Sequence, residues 1–333
     1  MSVATSWRYP EIASSYPEIA SLAGRDFLTL ADLTSAEIWG LLAVSRDLKA
    51  RHKTRRDPAL LKGVVAGLLF RKPSTRTRVS FEAGILQLGG HSLFLTDRDL
   101  QLSRGESIRD TAAVLSSYLD LLVVRTFAHA EVEELAHYAT IPVINALTDR
   151  FHPCQALADV FTIWEEKGDL RGVTLAYLGD GNNVAHSLLM AGAKLGMKVR
   201  VASPPGYAPD AQIVEAARAA AGATGGSVEV LEDPREAAFG ADCLYTDVWT
   251  SMGQEAEAEQ RRRAFLPYQL NDELLKLARP GALVLHCLPA HYGEEITPSV
   301  AYSPQSAIFT QAENRLHVQK AIMAALLSGT GEA

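Results

Sequence analysis

The sequence predicts an α/β protein built as two doubly wound parallel-sheet domains, with the active site in the crevice between them. Three observations carry this expectation. Short apolar runs, four in the first half and five in the second, alternate with helical patterns, as strands covered on both faces do. A polar, glycine-containing stretch, "EEKGDLRG" at 165–172, interrupts the alternation, which then restarts. At 333 residues the chain also exceeds the size at which one hydrophobic core stops growing. The expected boundaries are an N-terminal extension over 1–24, a first domain over 25–165, a second over 166–309, and a closing helix over 310–333 that packs back across the domains.

Element by element, Thr34 and Glu37 in "TSAEIWGLLAVSRDLKA" stand at capping-box spacing, and Ile38, Leu41, Leu42 and Leu48 follow at helical intervals. The first four strands are "VVAGLLF" (64–70), "HSLFLT" (91–96), "LDLLVVRT" (119–126) and "IPVINA" (141–146). The second set is "VTLAYLGD", "KVRVASP", "SVEVLED", "CLYTDV" and "ALVLHCLP". In the last helix Leu316, Ile322, Met323, Leu326 and Leu327 are read as one apolar face, able to pack on either domain.

Composition narrows the partners. Hydrophobic residues make up 47% and charged residues 21%, the balance of a globular protein. Lys plus Arg number 32 against 39 Asp plus Glu, a net charge of −7, so no overall basic field exists to hold nucleic acid or an anionic membrane. Any anion site is local. Cys154, Cys243 and Cys287 are too few and too scattered for a disulfide framework, which points to a reducing, cytoplasmic setting. No stretch is apolar for long enough to span a bilayer, and the N-terminal residues lack the apolar core of a signal peptide. The hexamer "YPEIAS" occurs at 9–14 and again at 16–21, read as a tail packed on the surface.

Ligands of open parallel sheets bind beyond the strands' carboxyl ends. After the first strand comes "RKPSTRTR", where Pro73 and Ser74 suit a helix start. A helix N-terminus offers free N–H groups and partial positive charge, and Ser74, Thr75 and Thr77 add hydroxyls, which together make a phosphate cradle. Arg76 and Arg78 lie about 200° apart around a helix. Arg76 is therefore assigned to the phosphate and Arg78 to a structural ion pair. Arg125 ends the third strand, where a buried Arg needs a partner. His152, held extended before Pro153, and Gln155 together offer donors and an acceptor to a planar carbonyl-and-amine group, although a capping or packing role is the commoner one for a lone His.

In the second half Gly179 and Gly181 invite a dinucleotide fingerprint. It fails, because the third glycine position is Val184 and no acid ends the next strand. Asn182 and Asn183 remain as binders of small polar ligands, and Asp247 ends its strand as a partner for a cationic substrate. His286 and Cys287 admit three readings: a nucleophilic thiolate, metal ligands, or polar substrate contacts. With His152 and Cys154 the count matches zinc, but the pairs lack the usual ligand spacing.

Four motifs in this order, "STRTR" (74–78), "HPCQALAD" (152–159), "DVWTSMGQE" (247–255) and "HCLPA" (286–290), resemble the aspartate/ornithine carbamoyltransferase family over about residues 25–328. The last two resemble its ornithine branch. The resemblance implies a carbamoyl-phosphate-binding first domain and an ornithine-binding second one. Ser74, Thr75, Arg76 and Thr77 would bind phosphate, with Arg125 and with Gln101 from "DRDLQLSRGES" of the same or a neighbouring subunit. His152 and Gln155 would hold the carbamoyl group, with the backbone at Cys287 and Leu288 and the side chain of Arg315. Asn183, Asp247, Ser251 and Met252 would bind the α-amino and α-carboxylate groups of L-ornithine, and Cys287 would lie beside its δ-amine. Arg76, His152 and Cys287 would be the catalytic residues.

The implied reaction is carbamoyl transfer from carbamoyl phosphate to the δ-amine, giving L-citrulline and phosphate in arginine biosynthesis, or the catabolic reverse. The resemblance also implies no cofactor, no metal, a mobile "SMG" segment, and a homotrimer or an assembly of trimers.

Overall fold

In the computed structural model of the chain, which describes residues 16–328 apart from Met252 and Gln254, the capping box forms as read. Thr34 Oγ1 accepts the Glu37 N–H at 3.1 Å and the Glu37 carboxylate accepts the Thr34 N–H at 2.6 Å. Helix α1, Ser35–Lys53, buries Ile38, Leu41, Leu42 and Leu48. The second YPEIAS copy enters a 3-10 turn, Pro17–Leu22, which buries Ile19 and Leu22. Gly40 of α1 permits that approach, since a Cβ there would sit 2.6 Å from Ile19 Cγ2. The first copy, at 9–14, lies outside the described residues.

Two compact units follow: residues up to Leu157 together with those from Arg315 onward, and Ala158–Asn314. Both boundaries fall inside helices. The first unit holds β1 (Val65–Phe70), α2 (Thr75–Gln87), β2 (His91–Thr96), α3 (Ile108–Ser116), β3 (Leu121–Arg125), α4 (His129–Tyr138) and β4 (Val143–Leu147), and α5 (Pro153–Lys167) begins in it. Its strands are parallel in the order β2-β1-β3-β4, so the chain leaves β1 in one direction for β2 and crosses to the other side for β3. The reversal puts the carboxyl ends of β1 and β3 side by side, with Phe70 opposite Arg125.

The second unit contains β5 (Thr174–Leu178), α6 (Asn183–Lys194), β6 (Lys198–Ala202), α7 (Ala211–Thr224), β7 (Ser227–Leu231), α8 (Pro234–Ala238) and β8 (Cys243–Thr246). Helices α9 (Ala258–Phe265) and α10 (Asp272–Leu277), strand β9 (Leu283–His286), α11 (Pro298–Ala301) and the start of α12 (Ile308–Leu326) complete it. The parallel order β7-β6-β5-β8-β9 reverses between β5 and β8. Thr246 pairs with His286, so the next residues along each strand, Asp247 and Cys287, emerge beside one another. Most strands bury both faces, which is why they read as unbroken apolar runs.

The last helix differs from its sequence reading. Ile322, Met323, Leu326 and Leu327 are buried as expected, but so are Gln311, Asn314, Arg315, His317, Gln319 and Lys320, and Leu316 is only half-buried. From His317 onward the helix is therefore enclosed all round rather than along one face, while Phe309 and Glu313 stay exposed in its first turns. Among its buried polar groups, Lys320 Nζ donates to Asp57 Oδ1 at 2.8 Å, and the His317 ring packs on His52 at 5.6 Å.

Burial, followed by the charges of Lys320 and Lys49, pushes the His317 imidazole down to about 3. A depressed folded-state value means the unfolded chain binds more protons between about 3 and the ordinary 6.5. The neutral ring thus contributes stability above that window, and the contribution is lost as pH falls through it. Chemical denaturation of the His317→Gln variant from pH 7 to 4 should show a slope shallower by up to ~1.4 kcal/mol per pH unit. Identical slopes in both proteins would count against this role.

Candidate active site

Four cations crowd the segment after β1, and their partners separate them. Arg71 bonds Asp97 at 2.8 Å and Glu131 at 2.7 Å. Lys72 Nζ lies 4.4 Å from the Phe127 ring centroid. Arg78 pairs with Glu82 at 3.1 Å and lies 3.6 Å over Phe94, the structural role read from its helical phase. Arg76, half-buried, forms no ion pair among the described residues.

Around Arg76 the helix start is open. Ser74 caps α2, its Oγ accepting the Thr77 N–H at 3.3 Å, while a first turn leaves the N–H groups of Thr75 and Arg76 without helix partners. Arg315, 4% exposed, donates from Nη1 to Gln155 Oε1 at 2.8 Å and from Nη2 to Thr77 Oγ1 at 3.0 Å. The fork therefore takes acceptor sites only.

Arg125 is buried at the end of β3, where its carbonyl accepts the Arg71 N–H at 2.8 Å. His152, buried at the start of α5, is held well below the ordinary imidazole value by burial and then by Arg315 and Arg125, so it is neutral near pH 7. Gln101 is exposed on the loop after β2, where Arg104 donates to it at 3.4 Å, and its described contacts do not join it to the Ser74–Thr77 cluster.

The second unit assembles a group of opposite sign. Three donors converge on Asp247: Val248 N–H at 2.8 Å and Cys287 Sγ at 2.9 Å on Oδ1, and Asn182 Nδ2 at 2.9 Å on Oδ2. Asn182 also caps α6, accepting Val184 and Ala185 N–H groups at 2.9 and 3.2 Å. Asn183 stands next to it at the first helical position, half-buried. Ser251 is half-buried, beside a cavity of about 420 Å3 that Trp249, Arg262 and His291 also line. Met252 lies outside the described residues.

Burial and the Asp247 charge push the Cys287 thiol well above its ordinary value, which disfavours the thiolate reading. Asp247, His286 and Cys287 lie close enough to suggest a metal site. His286, however, has both ring nitrogens engaged: Nδ1 accepts the Leu288 N–H at 2.8 Å, and Nε2 faces Glu295 Oε1 at 3.0 Å. Since Nδ1 is an acceptor, Nε2 carries the hydrogen and donates to Glu295. Leu288 itself is left-handed, with φ 57°, a strained state for a branched residue that the His286 contact helps hold. Cys154 is fully buried, its thiol pushed up to about 12, and bonds Asn145 O at 3.5 Å, which makes it a core residue.

Sequence reasoning missed the supports. Arg261, 3% exposed, pairs with Asp180 and donates from Nε to the Trp249 carbonyl at 2.6 Å, fixing the segment between Asp247 and Ser251. Burial still lifts the Asp180 carboxyl to about 6. Asp180 was visible after β5, but its partner lies 81 residues on. Asn182 was visible as half of an Asn pair, but only the strand register shows that it meets Asp247.

Two family models cover most of the chain: the carbamoyl-P binding domain of aspartate/ornithine carbamoyltransferase over residues 25–165 and the Asp/Orn binding domain over 171–326. A Pyrococcus furiosus protein named "Ornithine carbamoyltransferase, anabolic" is 55% identical over 311 residues, 93% of this chain and 99% of that one. A Halalkalibacterium halodurans protein named ornithine carbamoyltransferase is 56% identical over 312 residues, covering 94% and 98%. The solved P. furiosus structure superposes with a TM-score of 0.90 at 55% identity, over 92% of this chain and 98% of that one. With the fold, the relatives and both domain models in agreement, the chain belongs to the aspartate/ornithine carbamoyltransferase family.

Proposed function

We propose that the protein transfers the carbamoyl group of carbamoyl phosphate to the δ-amine of L-ornithine, yielding L-citrulline and phosphate, in the biosynthetic direction that the name of its P. furiosus relative states. The observation that carries this reading is the contrast between the half-sites: an Arg76 without an ion pair at an open helix start in one unit, and an Asp247–Cys287 pair in the other. Residues 25–165 are assigned to carbamoyl phosphate, 166–309 to ornithine and 310–333 to the closing helix.

In this reading the N–H groups and hydroxyls of Ser74, Thr75 and Thr77, with Arg76 and Arg125, neutralise the phosphate, and Gln101 joins them from an adjacent subunit. The neutral His152 and the Gln155 amide donate to the carbamoyl oxygen. Backbone carbonyls at Cys287 and Leu288 accept from its NH2 group. Asp247 takes the cationic α-amino group of ornithine, with Asn183, Ser251 and Met252 around the α-carboxylate. The δ-amine, whose ordinary pKa is about 10.4 by analogy with Lys, loses its proton before attack. Attack makes an oxyanion that donors fixed in advance stabilise, each typically worth ~3–4 kcal/mol, and phosphate departs already neutralised. Holding amine and carbamoyl carbon in contact supplies much of the rate.

The assembly we propose is a homotrimer or a set of trimers. Support comes from exposed apolar side chains on the first unit: Val79 and Leu86 on α2, Leu93 on the edge strand β2, and Val114 and Tyr118 at α3. The setting we propose is the cytoplasm, in keeping with three unbridged thiols. No helix among the described residues is long and apolar enough to cross a membrane.

A colorimetric assay for ureido product with carbamoyl phosphate should give product with ornithine and none with aspartate, putrescine or N-acetylornithine. Product with another amine instead would replace ornithine as the acceptor. Arg76→Ala should lose about 10²–10³-fold in kcat with an unchanged circular dichroism spectrum. Wild-type turnover would remove Arg76 from the phosphate. Asp247→Asn should raise KM for ornithine far more than KM for carbamoyl phosphate, and equal rises would show the halves to be misassigned. Light scattering should give a mass about three times 36.0 kDa or a multiple of that. A Leu86→Glu/Tyr118→Glu variant should fall to one chain, whereas a wild-type protein that runs as a single chain would exclude the trimer.

A further inference from the structure

Behind the Asp247–Cys287 pair lies a buried polar network that the reaction as described leaves without a role. Asp159, on α5, is fully buried. Its Oδ2 accepts the Tyr245 hydroxyl at 3.1 Å, and its Oδ1 accepts Gln311 Nε2 at 2.7 Å. Gln311 Nε2 also reaches the Tyr245 oxygen at 3.1 Å, while Gln311 Oε1 accepts the His286 backbone N–H at 2.9 Å. The Tyr245 hydroxyl interacts in addition with the Cys287 sulfur.

Hydrogen positions in this network follow from the inventory of donors. A backbone N–H only donates, so the oxygen of the Gln311 amide faces His286 and its NH2 faces Asp159 and Tyr245. Tyr245 then receives a hydrogen from Gln311 and cannot return one there. Its single hydroxyl hydrogen goes to the carboxylate of Asp159, the stronger acceptor. With that hydrogen committed, Tyr245 has none for Cys287, and the thiol hydrogen is directed to Asp247 Oδ1 at 2.9 Å.

We propose that Asp159 is a positioning residue for the ornithine half of the site: by holding the Tyr245 hydroxyl hydrogen, it keeps Cys287 a neutral thiol pointed at Asp247, with the sulfur lone pairs open to an amine. The role in ornithine binding rests on the function proposed above; the hydrogen arrangement does not. The groups facing Cys287 are Asp247 and Tyr245 from β8 and its carboxyl end and Asp159 from α5, and both carboxylates oppose a thiolate.

In Asp159→Asn the amide can donate to the Tyr245 oxygen, which releases the hydroxyl hydrogen towards Cys287, and one opposing charge disappears. Alkylation of Cys287 by iodoacetamide at neutral pH, read by peptide mass spectrometry, should then rise at least about tenfold, the change that one pKa unit produces. Cys154 and Cys243 are fully buried with thiols pushed up to about 12, so they stay outside the signal. KM for ornithine should rise while KM for carbamoyl phosphate does not. Tyr245→Phe keeps the Asp159 charge and has no hydroxyl to turn, so its Cys287 should remain as unreactive as in the wild type. An unchanged alkylation profile in folded Asp159→Asn would overturn the proposal.

A second measurement covers the case in which that variant does not fold. The infrared S–H stretch of Cys287, assigned by its loss in Cys287→Ala, should be the same in wild type and Tyr245→Phe, because in both the thiol donates to Asp247. A shifted band would mean that Tyr245 shares the thiol hydrogen, and the proposal fails. Absence of carbamoyl transfer by the wild type would sink the function reading while leaving the alkylation and infrared results to decide the hydrogen arrangement.

Discussion

A buried guanidinium that donates to two neutral oxygens sets the character of the first half-site. Arg315 takes one acceptor from Gln155 and one from Thr77, and burial, followed by its charge and that of Arg125, holds His152 neutral. Positive charge is thus collected in a desolvated region beside an open helix start before any anion arrives. A dianionic donor entering it meets donors that need no reorganisation, and the gain per contact is larger than in water. The second half-site is the electrostatic opposite. Burial, followed by the charges of Asp247 and Asp159, holds the proton on Cys287. In the proposed function each unit thus offers a field suited to one reactant, anionic in the first case and cationic in the second.

That division depends on topology more than on any single residue. Both sheets reverse their winding once, and each reversal opens a crevice at strand carboxyl ends where loops can diverge. In the first sheet the reversal brings the loop after β1 next to Arg125. In the second it brings the loop after β5 next to Asp247, with Cys287 one strand further on. Two helices feed both networks along the chain. Gln155 and Asp159 are one turn apart on α5, and Gln311 and Arg315 are one turn apart on α12.

How much of this was legible in the sequence follows from sequence separation. All nine strands among the described residues read correctly, most of them because a strand buried on both faces is an unbroken apolar run whatever its neighbours, while the part-exposed edge strands β2 and β7 were set apart by the helical patterns around them. Helix starts read correctly where the signal is local, as at Thr34, Ser74 and Pro153. The structural role of Arg78 separated on helical phase alone. Contacts that span the chain were not legible: Tyr245 to Asp159 crosses 86 residues, and Arg315 to Thr77 crosses 238. Helix α12 misled the periodicity argument for a related reason. Its polar residues are buried by partners distant in sequence, so polarity there does not mark a solvent face.

The supports found only in three dimensions share one physical feature, the burial of charge or hydrogen-bonding groups that add little net stability. A carboxylate such as Asp159, taken fully out of water, costs several kcal/mol that hydrogen bonds such as those from Tyr245 and Gln311 only partly offset. Apolar side chains of similar volume would fill the same space at lower cost. What an apolar pair cannot do is decide which way a hydroxyl hydrogen points, and the Gln311 amide, anchored by His286, leaves Tyr245 one direction only. The same logic applies to Glu295, whose bond to His286 fixes the ring tautomer that accepts the Leu288 N–H and keeps that residue left-handed. In both places a buried carboxylate specifies hydrogen placement or backbone shape one residue away from the atoms proposed to meet substrate, which is where geometric error would be most costly to the rate.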